Sequence, residues 1–402
     1  MRKLSGLQAK CRNRAIEVTF RGSEESSLTV YRRALPEYVF DQDFAEYFDG
    51  IYPDKTDVIF EGKVKDLPCE HGFYCFRDES AVMNEVYLYW IANEARDGQV
   101  TGPVPVKFRD PEVWWNFDRI QREMELLAAE FPEVTLTCVG ETVAHKPVNA
   151  LVAGNCNHMV ACVGVIHAGE SGPELLLPMM RTILEEHQEL LEKVGLAILP
   201  VVNADERERL AEGYPCYLRT NKNGVDLNRN FDADWETVSY AYNLATDDER
   251  CSTYRGPYPE SEPETRAVIN FIKLVQPKIC FNYHHLTSIT GDGFLRSDGP
   301  TKNEAFLAEF EKLVRIYRTA FRKDAGDSLP EQILSPGCTG GSLPEWLSSQ
   351  GIMGTDLEMA YDGTLGPYFE PSKRDETTPE MLERCADCHT KGVIAVMKAL
   401  SE

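Results

Sequence analysis

The chain has 402 residues, of which 43% are hydrophobic and 10% aromatic, so it is long enough to bury a sizeable core and is not a disordered polymer. Its 42 basic and 65 acidic residues give a formal net charge of −23, and such a surface repels nucleic acid phosphates and anionic membranes. No run of about 18 consecutive apolar residues, the length of a membrane span, is present. We therefore expect neither nucleic acid nor a membrane as a partner.

The first quarter of the chain has the pattern of a β-rich domain. Short runs rich in Val, Ile, Tyr and Phe, such as AIEVTF, SLTVYRR and EVYLYWIAN, are separated by clusters of Gly, Asp, Ser and Pro. Such runs are typical of strands in antiparallel sheets. We predict a small, immunoglobulin-like β-sandwich over residues 1–108. The chain length agrees with two domains, or with one large α/β domain and an attachment.

From Trp114 onward, helical and strand-like segments alternate. NFDRIQREMELLAAEF has apolar residues at helical spacing and stops at Pro132. Strand-like runs such as MVACVGVIH, LAILPVVN, KICFNYHH and GIMGTDLEM follow, with amphipathic helices between them. RERLAEGY (207–214) is predicted to be a loop that shapes a cleft. The alternation predicts a second domain over residues 109–402, an α/β fold with a mixed, largely parallel sheet and helices on both faces.

The cysteines and the N-terminal segment indicate where the protein resides. The 12 cysteines are scattered and lie mostly inside apolar runs such as TLTCVG and KICFNYH, which is typical of reduced, buried thiols. The first 20 residues include basic side chains but lack the apolar stretch of a secretory signal. Both features favour a cytoplasmic protein.

Polar side chains follow three of the predicted strands at the points where those strands end. His167 and Glu170 follow one strand, His284 and His285 follow another, and Glu358 ends a third. In sheets of this kind, functional groups collect at the carboxyl ends of the strands. His-x-x-Glu by itself has two interpretations, a surface turn or half of a metal site.

Two imidazoles and one carboxylate form a suitable ligand set for a catalytic Zn²⁺, which such groups hold at about 2.0–2.2 Å with a fourth position open to water. The candidate set is His167, Glu170 and one of the paired histidines. Zinc lowers the pKa of its water to about 7. A carboxylate outside the ligand set is then needed to carry the proton, and Glu358 is the candidate.

The segment YLRTNKNGVDLNRNF (217–231) is a second candidate for a functional element. It holds two arginines, Arg219 and Arg229, in a stretch rich in Asn and Gly, with Asn228 between them. Because guanidinium groups bind carboxylates bidentately, such a loop suits an anion. The other interpretation is a solvated basic turn.

Taken in order, HAGE, LRTN, GVDLNRNF, KICFNYH and GGSLPEW with TDLEM resemble the motifs of the zinc metallocarboxypeptidases, the carboxypeptidase A-like peptidases. The resemblance covers roughly residues 114–400. It implies a carboxypeptidase-like fold for the second domain and one Zn²⁺ per chain. It also implies a metallopeptidase that hydrolyses the C-terminal peptide bond of peptides by zinc-activated water, with a Glu as general base.

The same resemblance assigns the metal ligands. His167, Glu170 and His284 are implied to bind zinc. His284 is preferred to His285 because KICFNYH matches the family strand at its first histidine. His285 is then a neighbour of the metal ligands.

The remaining assignments also rest on the resemblance. Glu358 is implied to be general base and then general acid, and Arg219 to stabilise the oxyanion of the tetrahedral intermediate. Asn228 and Arg229 are implied to bind the free α-carboxylate of the substrate. Leu343 stands where the family selects the C-terminal side chain, and it argues against Lys or Arg specificity; the other interpretation is an ordinary core leucine.

One departure from the family pattern leaves alternatives open. In the family, a Tyr commonly precedes the Gly-Gly-Ser segment and covers the substrate, whereas ILSPGCTGGS contains no Tyr and has Pro336 or a neighbour in its place. An alternative function is therefore a zinc-dependent deacylase or amidohydrolase, acting on N-acyl amino acids or on γ-linked cell-wall peptides. A non-catalytic binding protein that keeps the fold is a third interpretation.

Overall fold

The computed structural model describes residues 4–35, 50–93, 100–155, 157–239, 244–284, 293–297, 304–321, 334–358 and 378–402. The chain divides into two compact units, the first comprising Met1–Asn116 with Glu208–Tyr217 and the second comprising Phe117–Arg207 with Leu218–Glu402. The chain thus leaves the second unit after Arg207 and returns to it at Leu218. The boundary near residue 109 of two independent domains stays a prediction.

The first unit consists of two four-stranded antiparallel sheets, in the orders β1-β2-β6-β5 and β4-β3-β7-β8. Its strands are β1 (Ser5–Arg12), β2 (Ala15–Arg21), β3 (Ser27–Ala34), β4 (Val58–Lys63), β5 (Cys69–Glu70), β6 (Phe73–Asp78), β7 (Val86–Ala92) and β8 (Val100–Lys107). Short 3-10 turns lie at Lys55–Asp57 and Val64–Asp66.

The two sheets of the first unit share one core. In β2, Ile16, Val18 and Phe20 are buried while the residues between them are more exposed, which is the period-2 pattern of a strand with one covered face. These side chains pack in one cluster with Val30 of β3 and Ile91 of β7, which belong to the other sheet. The predicted β-rich N-terminal region is therefore a pair of packed antiparallel sheets.

The second unit is built on an eight-stranded mixed sheet in the order β15-β14-β16-β13-β11-β12-β10-β9. Its strands are β9 (Val134–Glu141), β10 (Pro147–Ala153), β11 (Met159–Gly164), β12 (Gly195–Leu199), β13 (Ile279–Tyr283), β14 (Gly293–Ser297), β15 (Leu334–Cys338) and β16 (Met353–Glu358). The four central strands, β16, β13, β11 and β12, are parallel. Their carboxyl ends therefore lie side by side at one edge of the sheet.

Helices cover both faces of this sheet, as the sequence predicts. They are α1 (Phe117–Glu130), α2 (Pro173–Glu186), α3 (Gln188–Leu191), α4 (Ala204–Ala211), α5 (Pro263–Val275), α6 (Glu304–Phe321), α7 (Leu343–Ser349) and α8 (Pro379–Ser401). In β13, Cys280 packs in the core cluster that contains α5 and α7. The next residue, Phe281, contacts Tyr317 of α6. Because side chains alternate along a strand, these two groups of helices lie on opposite faces.

Helix α4 corrects one sequence-based expectation. The sequence predicts a loop at RERLAEGY, but the first five residues of this segment, 207–211, belong to α4. The apolar pattern of this helix is weak because three of its buried residues, Asp205, Glu206 and Arg207, are charged, whereas sequence periodicity detects a helix from the spacing of apolar residues. The helix also spans the point after Arg207 where the chain passes into the first unit.

We predict that Gly341→Ala destabilises the protein far more than Gly351→Ala. Both glycines have positive φ, +77° and +72°, so both substitutions meet a backbone penalty of about 1–2 kcal/mol. A Cβ on Gly341 would lie 2.1 Å from the carbonyl oxygen of Arg229, whereas a Cβ on Gly351 has nothing within 4 Å. We expect Gly341→Ala to lower the free energy of unfolding by about a further 2 kcal/mol or more, comparable to the cost of overpacking a core. Chemical denaturation of both variants measures this difference. Equal losses would show that the close approach is not rigid.

Candidate metal centre and active site

The first two candidate ligands lie on the turn that joins β11 to α2. His167 and Glu170 are buried, at 2% and 6% exposure. Val165, just before them, has φ of +53°, a value that β-branched residues rarely adopt and that marks local strain. Glu170 N donates to His167 O over 3.2 Å, so the turn closes on itself and points both side chains to the same side. The surface-turn interpretation of this motif does not fit a buried turn.

His284 follows β13, the strand beside β11. Gly164 at the end of β11 pairs with Tyr283 at the end of β13, so the two parallel strands end at the same level. His284 is 6% exposed, and its ring centroid lies 4.8 Å from that of His167. The structure thus brings together His167, Glu170 and His284, whose ligand atoms all lie within 4.8 Å of one another. His285 lies outside the described residues.

The geometry of these three side chains fits zinc. His167 Nδ1 lies 2.9 Å from Glu170 Oε1, and His284 Nδ1 lies 3.1 Å from Glu170 Oε2. Two ligands about 2.1 Å from one tetrahedral ion are themselves about 3.4 Å apart, so small shifts let all three share a metal. Two imidazoles and one carboxylate are a set that zinc takes in catalytic sites.

Each histidine presents its second nitrogen to an aspartate, and neither aspartate is among the residues predicted from the sequence. His167 Nε2 lies 3.0 Å from Asp226 Oδ1, and His284 Nε2 lies 3.2 Å from Asp356 Oδ1. A histidine that donates its Nε2–H to a carboxylate keeps its Nδ1 lone pair for a metal, and the carboxylate raises the basicity of the ring. Asp226 and Asp356 therefore orient the two imidazoles towards Glu170.

Charge balance in this buried cluster moves several pKa values. Burial favours the neutral carboxyl of Glu170, but the imidazoles of His167 and His284 outweigh it and hold the pKa of Glu170 well below its usual range. For His284, burial disfavours the charged ring, yet Asp356 and Glu170 raise its pKa well above the usual value. Burial likewise opposes ionisation of Asp226, whose pKa is lowered chiefly by Arg219 and then by His167.

Glu358 stands at the carboxyl end of β16, next to His284. β16 is the parallel neighbour of β13, and His284 N donates to the carbonyl of Leu357 over 3.2 Å. Burial raises the pKa of Glu358 to about 7, while the charge of His284 partly opposes that rise. This carboxyl group therefore has the proton affinity that general acid–base catalysis near neutral pH requires.

Arg219 is held beside the same cluster by Asp226. Its Nε donates to Asp226 Oδ2 over 2.7 Å, while the other oxygen of Asp226 faces His167. Asp226 also accepts a bond from the backbone N–H of Asn228 over 3.0 Å. One buried carboxylate thus fixes a candidate ligand, an arginine and the start of the 3-10 turn Leu227–Arg229.

Asn228 and Arg229 lie buried in that turn. The Asn228 amide donates to Asp356 Oδ2 over 2.9 Å, and its oxygen accepts from the Leu343 N–H over 2.9 Å. Arg229 Nη1 donates to the backbone carbonyl of Asn228 over 2.6 Å. The Asn228 side chain therefore supports the site from within, and a role in substrate binding stays a prediction for both residues.

Leu343 and Pro336 are the other two positions to which the sequence directs attention. Leu343, the first residue of α7, is fully buried and belongs to the core cluster, which agrees with the interpretation as a core leucine. A role of Leu343 in substrate selection stays a prediction. Pro336 lies in β15 and pairs in register with Arg296 of β14. The segment that replaces the family Tyr is thus a strand at the end of the sheet order.

The signals for Asp226 and Asp356 were present in the sequence but were not distinctive. Asp226 stands in GVDLNRNF two residues before Asn228, and Asp356 stands in TDLEM two residues before Glu358. Residues two apart on a strand point to the same face, so Asp356 belongs on the side of Glu358. Nothing local shows that either carboxylate faces a histidine, because the partners are 59 and 72 positions away.

Comparison with known proteins agrees with this geometry. The family model for zinc carboxypeptidases (peptidase M14) matches residues 120–381. The chain belongs to the zinc carboxypeptidase family, and it is a hydrolase of the zinc metallocarboxypeptidase class with zinc as its cofactor.

Among curated relatives, human mast cell carboxypeptidase A is 30% identical over 289 residues, which cover 66% of this chain and 68% of that protein. Dog carboxypeptidase B is 26% identical over 329 residues, covering 74% and 76%. Murein peptide amidase A of Escherichia coli K12 is 43% identical over 77 residues, covering 18% and 31%.

Solved structures show the same fold. Bovine thrombin-activatable fibrinolysis inhibitor has a TM-score of 0.58 at 20% identity, covering 72% of this chain and 98% of that chain. Carboxypeptidase A of Helicoverpa armigera also has a TM-score of 0.58, at 18% identity, covering 73% and 75%. A Shewanella denitrificans structure assigned to carboxypeptidase A has a TM-score of 0.53 at 16% identity and covers 95% and 89%. These likenesses establish the carboxypeptidase-like fold.

We predict that Asp226→Asn weakens zinc binding by about 10–100-fold, the range measured for carboxylates that orient histidine ligands. An amide cannot accept both from His167 and from Arg219 as the carboxylate does. The dissociation constant for zinc is measured by competition with a chelator. Asp248→Asn is the control, because Asp248 pairs with the exposed Arg250. Unchanged zinc affinity in Asp226→Asn would contradict the orienting role.

We predict that metal-free protein loses stability between about pH 4.5 and pH 7 through Glu358. The pKa of Glu358 in the folded protein, about 7, exceeds the ordinary glutamate value of 4.5. The folded state therefore binds more protons in this window, and stability falls as pH rises. Glu358→Gln removes this dependence, so at pH 8 the variant is expected to be about 2 kcal/mol more stable than the wild type. This figure is smaller than the full pKa difference would give, because Glu358 is partly exposed and solvent screens its charge.

Urea denaturation of the two proteins at pH 4.5 and pH 8 measures this difference. Glu125→Gln, an exposed position on α1, is the control and is expected to follow the wild type at both pH values. A Glu358→Gln variant with the same pH dependence as the wild type would show that burial does not raise the pKa of Glu358.

Proposed function

We propose that this protein is an exopeptidase that hydrolyses the C-terminal peptide bond of peptides. The proposal rests on one observation. The buried group His167, Glu170 and His284 lies at strand ends next to Glu358, because β13 and β16 are neighbouring parallel strands. Membership of the zinc carboxypeptidase family supports the same reaction class.

Glu358 is the proposed general base and then general acid. Zinc held by His167, Glu170 and His284 would polarise the scissile carbonyl and lower the pKa of an attacking water to about 7. The carboxylate of Glu358 takes the proton from that water and later delivers it to the leaving amine. In the metal-free protein, burial raises the pKa of Glu358 to about 7, which places its carboxyl group among those able both to accept and to release a proton near neutral pH.

Arg219 is the proposed partner of the negative charge that develops on the carbonyl oxygen. Its Nε is bonded to Asp226, which fixes the guanidinium plane before substrate arrives. A pre-oriented donor stabilises charge in the transition state without reorganising at that moment. Asp226 thus supports both the metal ligand His167 and this arginine.

Arg229 and Asn228 are proposed to bind the free α-carboxylate of the substrate. Arg229 is 6% exposed, and a guanidinium in such a place binds a carboxylate as a bidentate partner. Arg229 Nη1 donates a hydrogen bond to the backbone carbonyl of Asn228, which orients the guanidinium group. With Leu343 as the proposed selecting residue, the favoured C-terminal residues are apolar, and the substrate is a peptide or a small acylated amino acid.

A second candidate is hydrolysis of γ-linked cell-wall peptides by the same chemistry. It is favoured by 43% identity over 77 residues to Escherichia coli murein peptide amidase A. The Tyr that covers the substrate in the family is absent, with Pro336 or a neighbour in its place, which suits a substrate that is enclosed in another way. The reaction and the metal are unchanged, and the difference lies in the amide that is cut.

A reducing compartment such as the cytoplasm is the proposed location. Cys69, Cys138 and Cys251 are exposed and outside any disulfide, and exposed thiols persist where the surroundings keep them reduced. Over the described parts of the chain, no helix combines the length and the apolar character needed to cross a bilayer.

We expect zinc-loaded protein to release the C-terminal residue from peptides that end in Leu or Phe, and mass spectrometry of the products checks this. The panel also holds peptides amidated at the C-terminus, N-acyl amino acids and a γ-D-glutamyl tripeptide. Amidation is expected to abolish cleavage because Arg229 loses its partner.

Glu358→Gln is expected to lower kcat by about 10²–10⁴-fold, the contribution of a positioned acid–base group, while its zinc content stays equal to that of the wild type. Cleavage of the γ-linked tripeptide alone would select the second candidate. Equal rates for wild type and Glu358→Gln would reject both.

A further inference from the structure

The backbone conformation of the turn that carries His167 and Glu170 must be held by contacts with other residues. This turn lies in irregular backbone between β11 and α2, and it follows a β-branched residue, Val165, at φ of +53°. A strained backbone persists only where the surrounding contacts over-determine it. Side chains outside the turn must therefore hold its backbone in place.

Arg207 of α4 supplies several of these contacts at once. It is 1% exposed. Its Nη1 donates to the carbonyl of Glu170 over 3.0 Å and to that of Ala168 over 3.4 Å, and its Nη2 pairs with the carboxylate of Glu174. A planar guanidinium with donors in a fixed fork can bind three acceptors simultaneously.

Glu174, the ion-pair partner of Arg207, also contacts the backbone that follows the His167–Glu170 turn. It lies in the first turn of α2 and is 4% exposed. One of its oxygens pairs with Arg207, and the other accepts from the N–H of Gly172 over 3.3 Å. The ion pair thus spans the whole connection from Ala168 to the start of α2.

We propose that Arg207 and Glu174 are positioning residues for the metal centre. They fix the backbone of the His167–Glu170 turn so that Glu170 stands between the two imidazoles. This inference rests on the ligand set His167, Glu170 and His284 of the proposed function, and neither residue touches the metal or the substrate.

Stability alone does not explain a buried pair of this kind. Desolvating two charges costs as much as their attraction returns, and replacing such a pair with apolar residues of similar volume often leaves a protein equally stable. The pair is also distinct from a simple helix contact, because the same guanidinium donates to two carbonyls of the ligand turn. The geometry therefore points to control of the turn.

The first test is the double variant Arg207→Met with Glu174→Met, in the full chain. It removes both charges together, so no unpaired charge is left buried. We expect folded protein with a zinc dissociation constant at least about tenfold weaker than that of the wild type, on the scale of other groups that orient ligands. The constant is measured by chelator competition, and the absorption spectrum of the Co²⁺-substituted protein reports the ligand geometry.

The control is the double variant Arg32→Met with Asp78→Leu, which removes a partly buried ion pair of the first unit. We expect its zinc affinity and Co²⁺ spectrum to match the wild type. Zinc affinity within twofold of the wild type in folded Arg207→Met with Glu174→Met, and an unchanged Co²⁺ spectrum, would overturn the proposal.

Arg207→Lys keeps the inference testable if the double variant fails to fold. Lysine preserves the charge opposite Glu174 but lacks the planar fork that reaches both carbonyls. We expect near wild-type thermal stability together with a zinc affinity several-fold weaker. Wild-type zinc affinity in this variant would contradict the positioning role.

Failure of the ligand set itself is recognised separately with His284→Ala and Glu170→Gln. Both are expected to lose zinc binding by more than the Arg207 variants do, because each removes a direct ligand. Wild-type affinity in both would reject the proposed ligand set. Loss in these two variants with none in the Arg207 variants would reject only the positioning role.

Discussion

The second unit depends on one electrostatic arrangement, the buried carboxylate of Glu170 placed between the imidazoles of His167 and His284. A carboxylate with 6% exposure is costly to bury unless cations or donors surround it. The two imidazoles supply that compensation and hold the pKa of Glu170 low. A divalent ion placed among the same atoms would meet a preformed charge and would need little rearrangement.

Charged groups around Glu170 face neighbours of opposite charge. Asp226 and Asp356 face the outer nitrogens of the two histidines, and Arg219 faces the outer oxygen of Asp226. Each histidine is thus paired on the side away from Glu170, which leaves the atoms that face Glu170 available to a metal ion, as proposed. Glu358 differs from these carboxylates in the balance of the same effects. Burial dominates at Glu358 and raises its pKa, whereas at Asp226 and Asp356 the neighbouring arginine and histidines outweigh burial and lower the pKa. Environments that separate the pKa values of neighbouring carboxyl groups are the usual basis for assigning different chemical roles to them.

The parallel strands explain why distant residues meet. Polar groups that follow β11, β13 and β16 share one edge because those strands run in the same direction. The connections after the strands are irregular, and buried ionic side chains hydrogen-bond to them. Asp226 accepts from the backbone of the Leu227–Arg229 turn, and Arg207 donates to the backbone of the His167–Glu170 turn. The site is consequently a set of loops fixed by buried ionic side chains on a sheet edge.

The sequence by itself determined the strand–helix alternation of residues 114–400, the β-rich start, and the side chains His167, Glu170, His284 and Glu358 at strand ends. These follow from local periodicity and from motif order, which need no knowledge of contacts. Only the tertiary structure decided that Asp226 and Asp356 face the histidines and that 207–211 is helical with Arg207 buried. Hydrogen-bond partners that lie tens of residues apart are selected by packing, and no local pattern encodes which of many aspartates or arginines will be buried beside them.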